Sequence, residues 1–228
     1  VYYVDGSKAA SGDGKSWEGA YKTMAAAFAV LVGGETIFLA GKVTEQLVTP
    51  VQIFDVHIIG VGNKPRHADS TPSGGNTYAS QWSGSGLTAA TANLRVIQQG
   101  WKVENILFSM VDSNAAGIEV VRNAGADDAE RDGSHLWLAG VKFAGAGVGL
   151  RGGVAGTFTE IPNHVLVEDC EFLQNTFGIR GAIQGQNWTI RRNQFRDSTN
   201  AITAQLGSTF IYDNIVAGFT AAGNSGGI

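Results

Sequence analysis

The sequence predicts an all-β fold: a single-stranded right-handed parallel β-helix, a solenoid of short coils closed at its N-terminus by a capping α-helix. Three observations predict it. A six-residue apolar pattern recurs five times beyond residue 95. Glycine supplies 32 of 228 residues with only 4 prolines, about twice the usual share of roughly 7%, as many tight turns between short strands require. Helical periodicity stands out only near the N-terminus, and short β-type runs follow it.

The repeat is the strongest of the three. Its five copies are Val103–Phe108, Leu138–Phe143, Val167–Phe172, Ile190–Phe195 and Ile211–Val216. Each has an apolar residue, two variable residues, a small or apolar residue (Asn in the last two copies), a variable residue and then usually Phe. Four are followed by a second strand: Gly117–Val120, Gly147–Leu150, Gly178–Gly181 and Ala201–Ala204. Successive copies lie 35, 29, 23 and 21 residues apart. Inward strands must stay in register with the coils above and below, whereas turns accept loops of any length. A minimal coil near 21 residues, expanded at its turns, fits that spacing. Alternation then predicts that Phe108, Phe143, Phe172 and Phe195 stack inside the solenoid.

The remaining elements follow in order. Val1–Val4 reads as a strand and Gly6–Ser16 as a polar loop. Ala20, Met24, Ala27, Phe28 and Leu31 recur at helical spacing, predicting a helix over Trp17–Val32 with Ser16 as N-cap and Gly33-Gly34 as stop. Thr36–Ala40 and Val56–Ile59 read as strands. The chain is expected to be one domain over residues 1–228, with 1–34 the cap and 35–228 the coils. The insertions 63–86, 122–135 and 151–164 are rich in small and polar residues. The last two are expected on one side of the solenoid, joined there by the first.

Charged residues make up 16% of the chain, below the roughly one quarter usual in globular domains, and the net charge is −4 with the two signs interspersed. That excludes the basic stripe of a nucleic-acid binder. No apolar run approaches the roughly 20 residues that span a bilayer, so no membrane segment is expected. A lone cysteine, Cys170, excludes an internal disulfide and occupies an apolar position of the repeat. The chain starts at Val1 without methionine, as expected of a processed product or a fragment. It ends at 224–228 without a visible cap, so more chain or a partner is expected beyond the last coil.

The segments Tyr3-Val4-Asp5-Gly6, Gly12–Thr23, Ala25–Ala27, Gly34–Gly41 and Ile58–Gly60, with the repeats, resemble the pectate-lyase-like superfamily of right-handed β-helices. The similarity is to the branch found in bacteriophage tailspikes, tail fibres and extracellular proteins. It covers nearly the whole chain. It implies a capping helix after the Gly-rich loop and Trp17, with Gly34–Gly41 as first coil. The fold hosts lyases, hydrolases, epimerases and passive adhesins, and no catalytic motif of the superfamily maps onto this chain. The resemblance implies a virion-associated or cell-surface adhesin, extracellular or on a virion, that binds a polysaccharide or surface glycan. The alternatives are a polysaccharide lyase or glycoside hydrolase, and a purely structural assembly subunit.

Strand alternation places Trp101, Leu136, Val165, Trp188 and Thr209 inward. It turns Lys102, Trp137, Leu166, Thr189 and Phe210 outward, and likewise Glu104, Ala139, Glu168, Arg191 and Tyr212. Trp137, Leu166, Phe210 and Tyr212 form a candidate ligand-binding or subunit-interface strip, expected near the axis of a homotrimer; a one-residue slip would bury them instead. Glu168, Glu171, Arg180 and Arg191 are the candidate catalytic residues, expected to gather in one groove for acid–base glycoside chemistry, or else to be a ladder of charge pairs. No cofactor is expected unless calcium binds the acidic loop of Asp127, Asp128 and Asp132, which is otherwise a solvated loop. Asn105, Asn193 and Asn214 are expected to form a side-chain ladder at the corners. His57, His67, His135 and His164 show no metal spacing.

Overall fold

The computed structural model describes residues 1–62, 80–84, 91–110, 115–122, 132–153, 162–181, 186–204 and 207–218. Its strands form three parallel sheets of eight, seven and six strands. The first runs from Tyr2–Asp5 to Phe210–Tyr212, the second from Lys42–Thr44 to Ile215–Ala217, and the third from Leu47–Val48 to Asn200–Ala204. From Thr36 onward the chain visits them in rotation, adding one strand to each per turn, an arrangement consistent with a parallel β-helix.

The repeat sets the register. Val103, Leu138, Val167, Ile190 and Ile211 occupy one row of the first sheet. Phe108, Phe143, Phe172 and Phe195 form the matching row of the second sheet. The four rings are buried and stack face to face, with centroids 5.6, 5.0 and 4.7 Å apart, and Trp82 heads the column 5.7 Å from Phe108. Among the described residues the main apolar cluster runs from Val4 to Ala201, and a small second one holds Ala92, Ala116 and Val148. The rings fit because Gly117, Gly149 and Gly178 face them across the coil. A Cβ on Gly149 would lie 2.5 Å from Phe172 Cδ1 and 2.6 Å from the Gly178 carbonyl oxygen. In the third sheet Leu150 pairs with Ile118 and Ile179, so Gly149, not Gly147, is the counterpart of Gly117. The strand expected at Gly147–Leu150 is found at Val148–Gly152.

Between the first and second sheets the chain turns on one residue in the left-handed region: Asn105, Gly140, Asp169, Arg192 and Asp213, with φ from 54° to 60°. The residue that follows points inward. Ile106, Val141 and Cys170 are apolar and buried there. Asn193 and Asn214 take the place in later coils and form the expected ladder. Asn193 Oδ1 accepts from the Cys170 N–H and Asn214 Oδ1 from the Asn193 N–H, both at 2.9 Å. Asn105 sits one position earlier, outside that ladder, and donates to the Gly60 carbonyl.

The N-terminus differs from expectation. The capping helix expected over Trp17–Val32 is not formed; the segment holds one five-residue helix, Met24–Phe28, capped by Thr23 rather than Ser16. Backbone pairing overrides the apolar period. Tyr21 exchanges hydrogen bonds with Tyr3 and Asp5, while Gly12 and Gly14 bond to Ala20 and Gly19, which holds the Gly-rich loop against the first strand. Met24, Phe28 and Leu31 still bury in the core, where the Phe28 ring meets Trp101 at 5.4 Å.

The insertions divide between two corners. Segments 122–135 and 151–164 both connect the third sheet to the first, as expected, but 63–86 leaves the first sheet for the second. It includes the strand Gln81–Ser83, so it does not join the other two.

Candidate functional site

Side chains that point outward carry the chemistry, and the three sheets treat them differently. On the first sheet two outward rows remain largely accessible, with Glu168 buried beneath its partners. One is Thr36, His57, Lys102, Trp137, Leu166, Thr189 and Phe210; the other is Phe38, Ile59, Glu104, Ala139, Glu168, Arg191 and Tyr212. The expected strip Trp137, Leu166, Phe210 and Tyr212 does face outward, so no register slip buries it. It is not continuous, because Thr189 separates Leu166 from Phe210.

Trp137 is the best-held of these side chains. Its Nε1 donates to Glu168 Oε1 at 2.9 Å. The Lys102 ammonium lies 5.3 Å from its ring centroid, and the His57 ring stacks beside it with centroids 6.5 Å apart. His57 in turn meets Glu104 at 3.2 Å. Glu168 Oε2 accepts from Arg191 Nε at 2.9 Å and Arg192 Nη2 at 2.7 Å. Arg191 Nη1 donates to the Tyr212 hydroxyl at 3.1 Å, and Arg192 also pairs with Asp169. The Tyr212 hydroxyl and then Glu168 push the Arg191 pKa up, and Asp169 first of all raises that of Arg192. Both Glu168 oxygens are thus engaged, and the carboxylate fixes the indole.

On the other two sheets the outward charges Lys142, Glu171, Glu119 and Arg151 are buried, while Arg95 and Arg196 at their margins stay exposed. On the second, Lys142 and Glu171 form an ion pair at 3.0 Å with both side chains at most 2% exposed, and Arg196 lies 3.3 Å from the other Glu171 oxygen. On the third, Arg95, Glu119, Arg151 and Arg180 occupy successive strands. Glu119 is clamped between Arg151 Nε at 2.6 Å and Arg95 Nε at 3.0 Å. Arg180 lies over the Phe177 ring at 4.5 Å, and its pKa is lowered by desolvation and then by the charge of Arg151. A buried ion pair of this kind costs more to break than it adds by forming.

The four candidate catalytic residues therefore do not share one groove. Glu168 and Arg191 meet on the first sheet, Glu171 is on the second and Arg180 on the third. One corner separates Glu168 from Glu171 and turns their side chains onto different faces. Of the acidic loop, Asp127 and Asp128 lie outside the described residues. Asp132 accepts from the Ser134 N–H at 2.9 Å and from Gln99 Nε2 at 3.2 Å. His67 also lies outside the described residues. His135 and His164 stack 4.8 Å apart at the corner before the first sheet. Among the described residues, no group of three His, Cys, Asp or Glu side chains could hold a metal ion.

No protein-family profile and no curated protein matches the chain. Among solved structures it is similar to the GH136 lacto-N-biosidase from Eubacterium ramulus, with a TM-score of 0.53 and 11% sequence identity. The likeness covers 87% of this chain and 42% of that one, so the chain spans less than half the length of its neighbour. At this identity the shared property is the fold, a β architecture of parallel sheets carried there by a glycoside hydrolase.

The sequence did not single out Trp82, Arg95, Glu119, Lys142 or Arg151. Trp82 had a usable signal: it is an aromatic between two polar residues in a short run, as Phe195 is. The ladder of Glu119, Arg151 and Arg180 becomes visible once Gly149 is aligned with Gly117.

Proposed function

We propose that the chain is a closed right-handed β-helix that binds a glycan on the outer face of its first sheet. In its cellular setting we place it with the adhesin-like or tailspike-like proteins outside the cell or on a virion, on the strength of its N-terminal sequence pattern. Right-handedness follows from the strong preference of parallel crossover connections for that hand.

One observation carries the binding assignment: Trp137 is an aromatic face fixed by Glu168 and bordered by Lys102 and His57 on one side and Leu166 on the other, with Thr189 one strand beyond. A pyranose presents an apolar CH face and a rim of hydroxyls, so it needs an ordered ring with donors and acceptors around it. A subunit interface needs a contiguous dry apolar centre. Thr189 and the Glu104–Arg191 row interrupt such a centre here, so the mixed face suits a sugar better than a trimer axis. The glycoside hydrolase neighbour supports a carbohydrate-related role at the level of the fold.

Affinity electrophoresis in gels carrying single polysaccharides tests the proposal. The chain is expected to be retarded in at least one gel, and Trp137→Ala to migrate freely there with an unchanged melting temperature. Equal retardation of the two proteins would overturn the site. Release of reducing ends, or absorbance near 235 nm, would move the chain to the polysaccharide-cleaving alternatives.

A further inference from the structure

The first sheet presents its aromatic side chains at equal intervals. Counted across the sheet, Phe38 is on the second strand, Trp137 on the fifth, and Phe210 and Tyr212 on the eighth. Phe38 is not alone: Tyr3 stacks on it at 5.7 Å, and Trp17, 40% exposed, packs edge-on against Tyr3 at 4.9 Å. At the far end Phe210 is 61% and Tyr212 42% exposed. With strands about 4.8 Å apart, successive aromatic stations are about 14 Å apart and the series spans about 29 Å. The intervals are mixed: His57, Ile59, Lys102 and Glu104 lie in one, and Leu166, Glu168, Thr189 and Arg191 in the other, so each carries one aliphatic side chain among polar ones.

We propose that the ligand is a linear, uncharged glycan chain that lies across the strands, along the stacking direction, and touches all three stations. This rests on the glycan-binding reading above and adds the polymer's shape, direction and charge. An extended glycan advances per residue by about one inter-strand spacing, so neighbouring stations contact sugars about three residues apart. Binding one station needs one or two sugars, two stations about four, and three stations about seven.

The charges argue for a neutral chain. Lys102, Arg191 and Arg192 stand against Glu104, Glu168 and Asp169. Glu168 is held by both arginines, Asp169 by Arg192 and Glu104 by His57. A polyanion finds no excess of positive charge to neutralise and would have to pass Glu104 and Asp169. The spacing argues against a protein partner, because separate ring clusters about 14 Å apart do not make the continuous apolar centre of a protein interface.

The test measures affinity by titration calorimetry against linear mannan, xylan and β-glucan and their oligomers of two to ten residues, with polygalacturonate as the anionic control. The proteins are the wild type, Trp17→Ala, Phe210→Ala and Trp137→Ala, each checked by its melting temperature. For the glycan that binds, affinity is expected to rise in two steps, at about four and about seven residues. Trp17→Ala and Phe210→Ala should each weaken the longest oligomers by about three- to tenfold, as expected for one aromatic contact, and leave the dimer unchanged. If Trp137→Ala abolishes binding but affinity is flat with length and the end variants match wild type, the extended path is overturned while the site stands. Tighter binding of polygalacturonate overturns the neutral assignment. No binding to any of these glycans, or full binding by Trp137→Ala, overturns the path and the site together.

Discussion

Phe172 shows what single side chains do in this fold. It stacks between Phe143 and Phe195, is fully buried, and has Gly149 opposite it where any Cβ would collide. Phe172→Ala should cost about 3–5 kcal/mol in chemical denaturation, the range for removing a buried ring. Gly149→Ala should cost about 1–3 kcal/mol, because the added methyl meets the Gly178 carbonyl oxygen as well as the ring and the backbone has nowhere to retreat. Cys170 gives a pH test. Burial pushes its thiol up to about 12. An acid whose folded value lies above its ordinary value of about 8.5 contributes its full stability below that pH and loses it as the pH climbs towards the folded value. Stability should therefore decline across that alkaline interval more steeply in wild type than in Cys170→Ala, and a thiol reagent at pH 8 should label Cys170 only in denaturant.

At the scale of elements, ends and corners are stabilised by partners from distant coils. The Met24–Phe28 helix receives the Glu45 carboxylate at its N-terminus, with Met24 N–H at 2.7 Å and Ala25 N–H at 3.0 Å. Glu45→Ala should cost about 1 kcal/mol in a melt, as loss of a cap does. Glu119→Ala should be far more damaging, about 3–5 kcal/mol, because it leaves buried Arg151 without its carboxylate. Strands in the repeats were legible in the sequence because the inward positions recur at the same places in every coil: the first, fourth and sixth residues of Val103–Phe108 and its successors, with a one-residue turn shifting the alternation between them. The helix was misread because Met24, Phe28 and Leu31 are apolar for burial at the end of the core, and burial with helical spacing does not require a helix. The corner of segment 63–86 was misread because loop composition says nothing about which sheets a loop joins. The scattered places of Glu168, Glu171 and Arg180 follow from the one-residue turn at Asp169 and from the further corner before the third sheet, neither of which local propensity reveals.

Taken whole, the molecule separates stability from recognition. Buried ion pairs sit on the middle strands of the second and third sheets, and the first sheet keeps an open face with its aromatic rings at three-strand intervals. Trp82, Trp101 and Trp188 are fully buried, so Trp17 and Trp137 are the tryptophans that can report on that face. Hydroxyl-radical footprinting with mass spectrometry, with and without a glycan that retards the chain, tests the central claim most directly. The account predicts protection of Trp17, Trp137, Phe210 and Tyr212, with Val32, Val51 and Phe54 oxidised as in the free protein. Protection of Val32, Val51 and Phe54 with the four aromatic residues unchanged would contradict it.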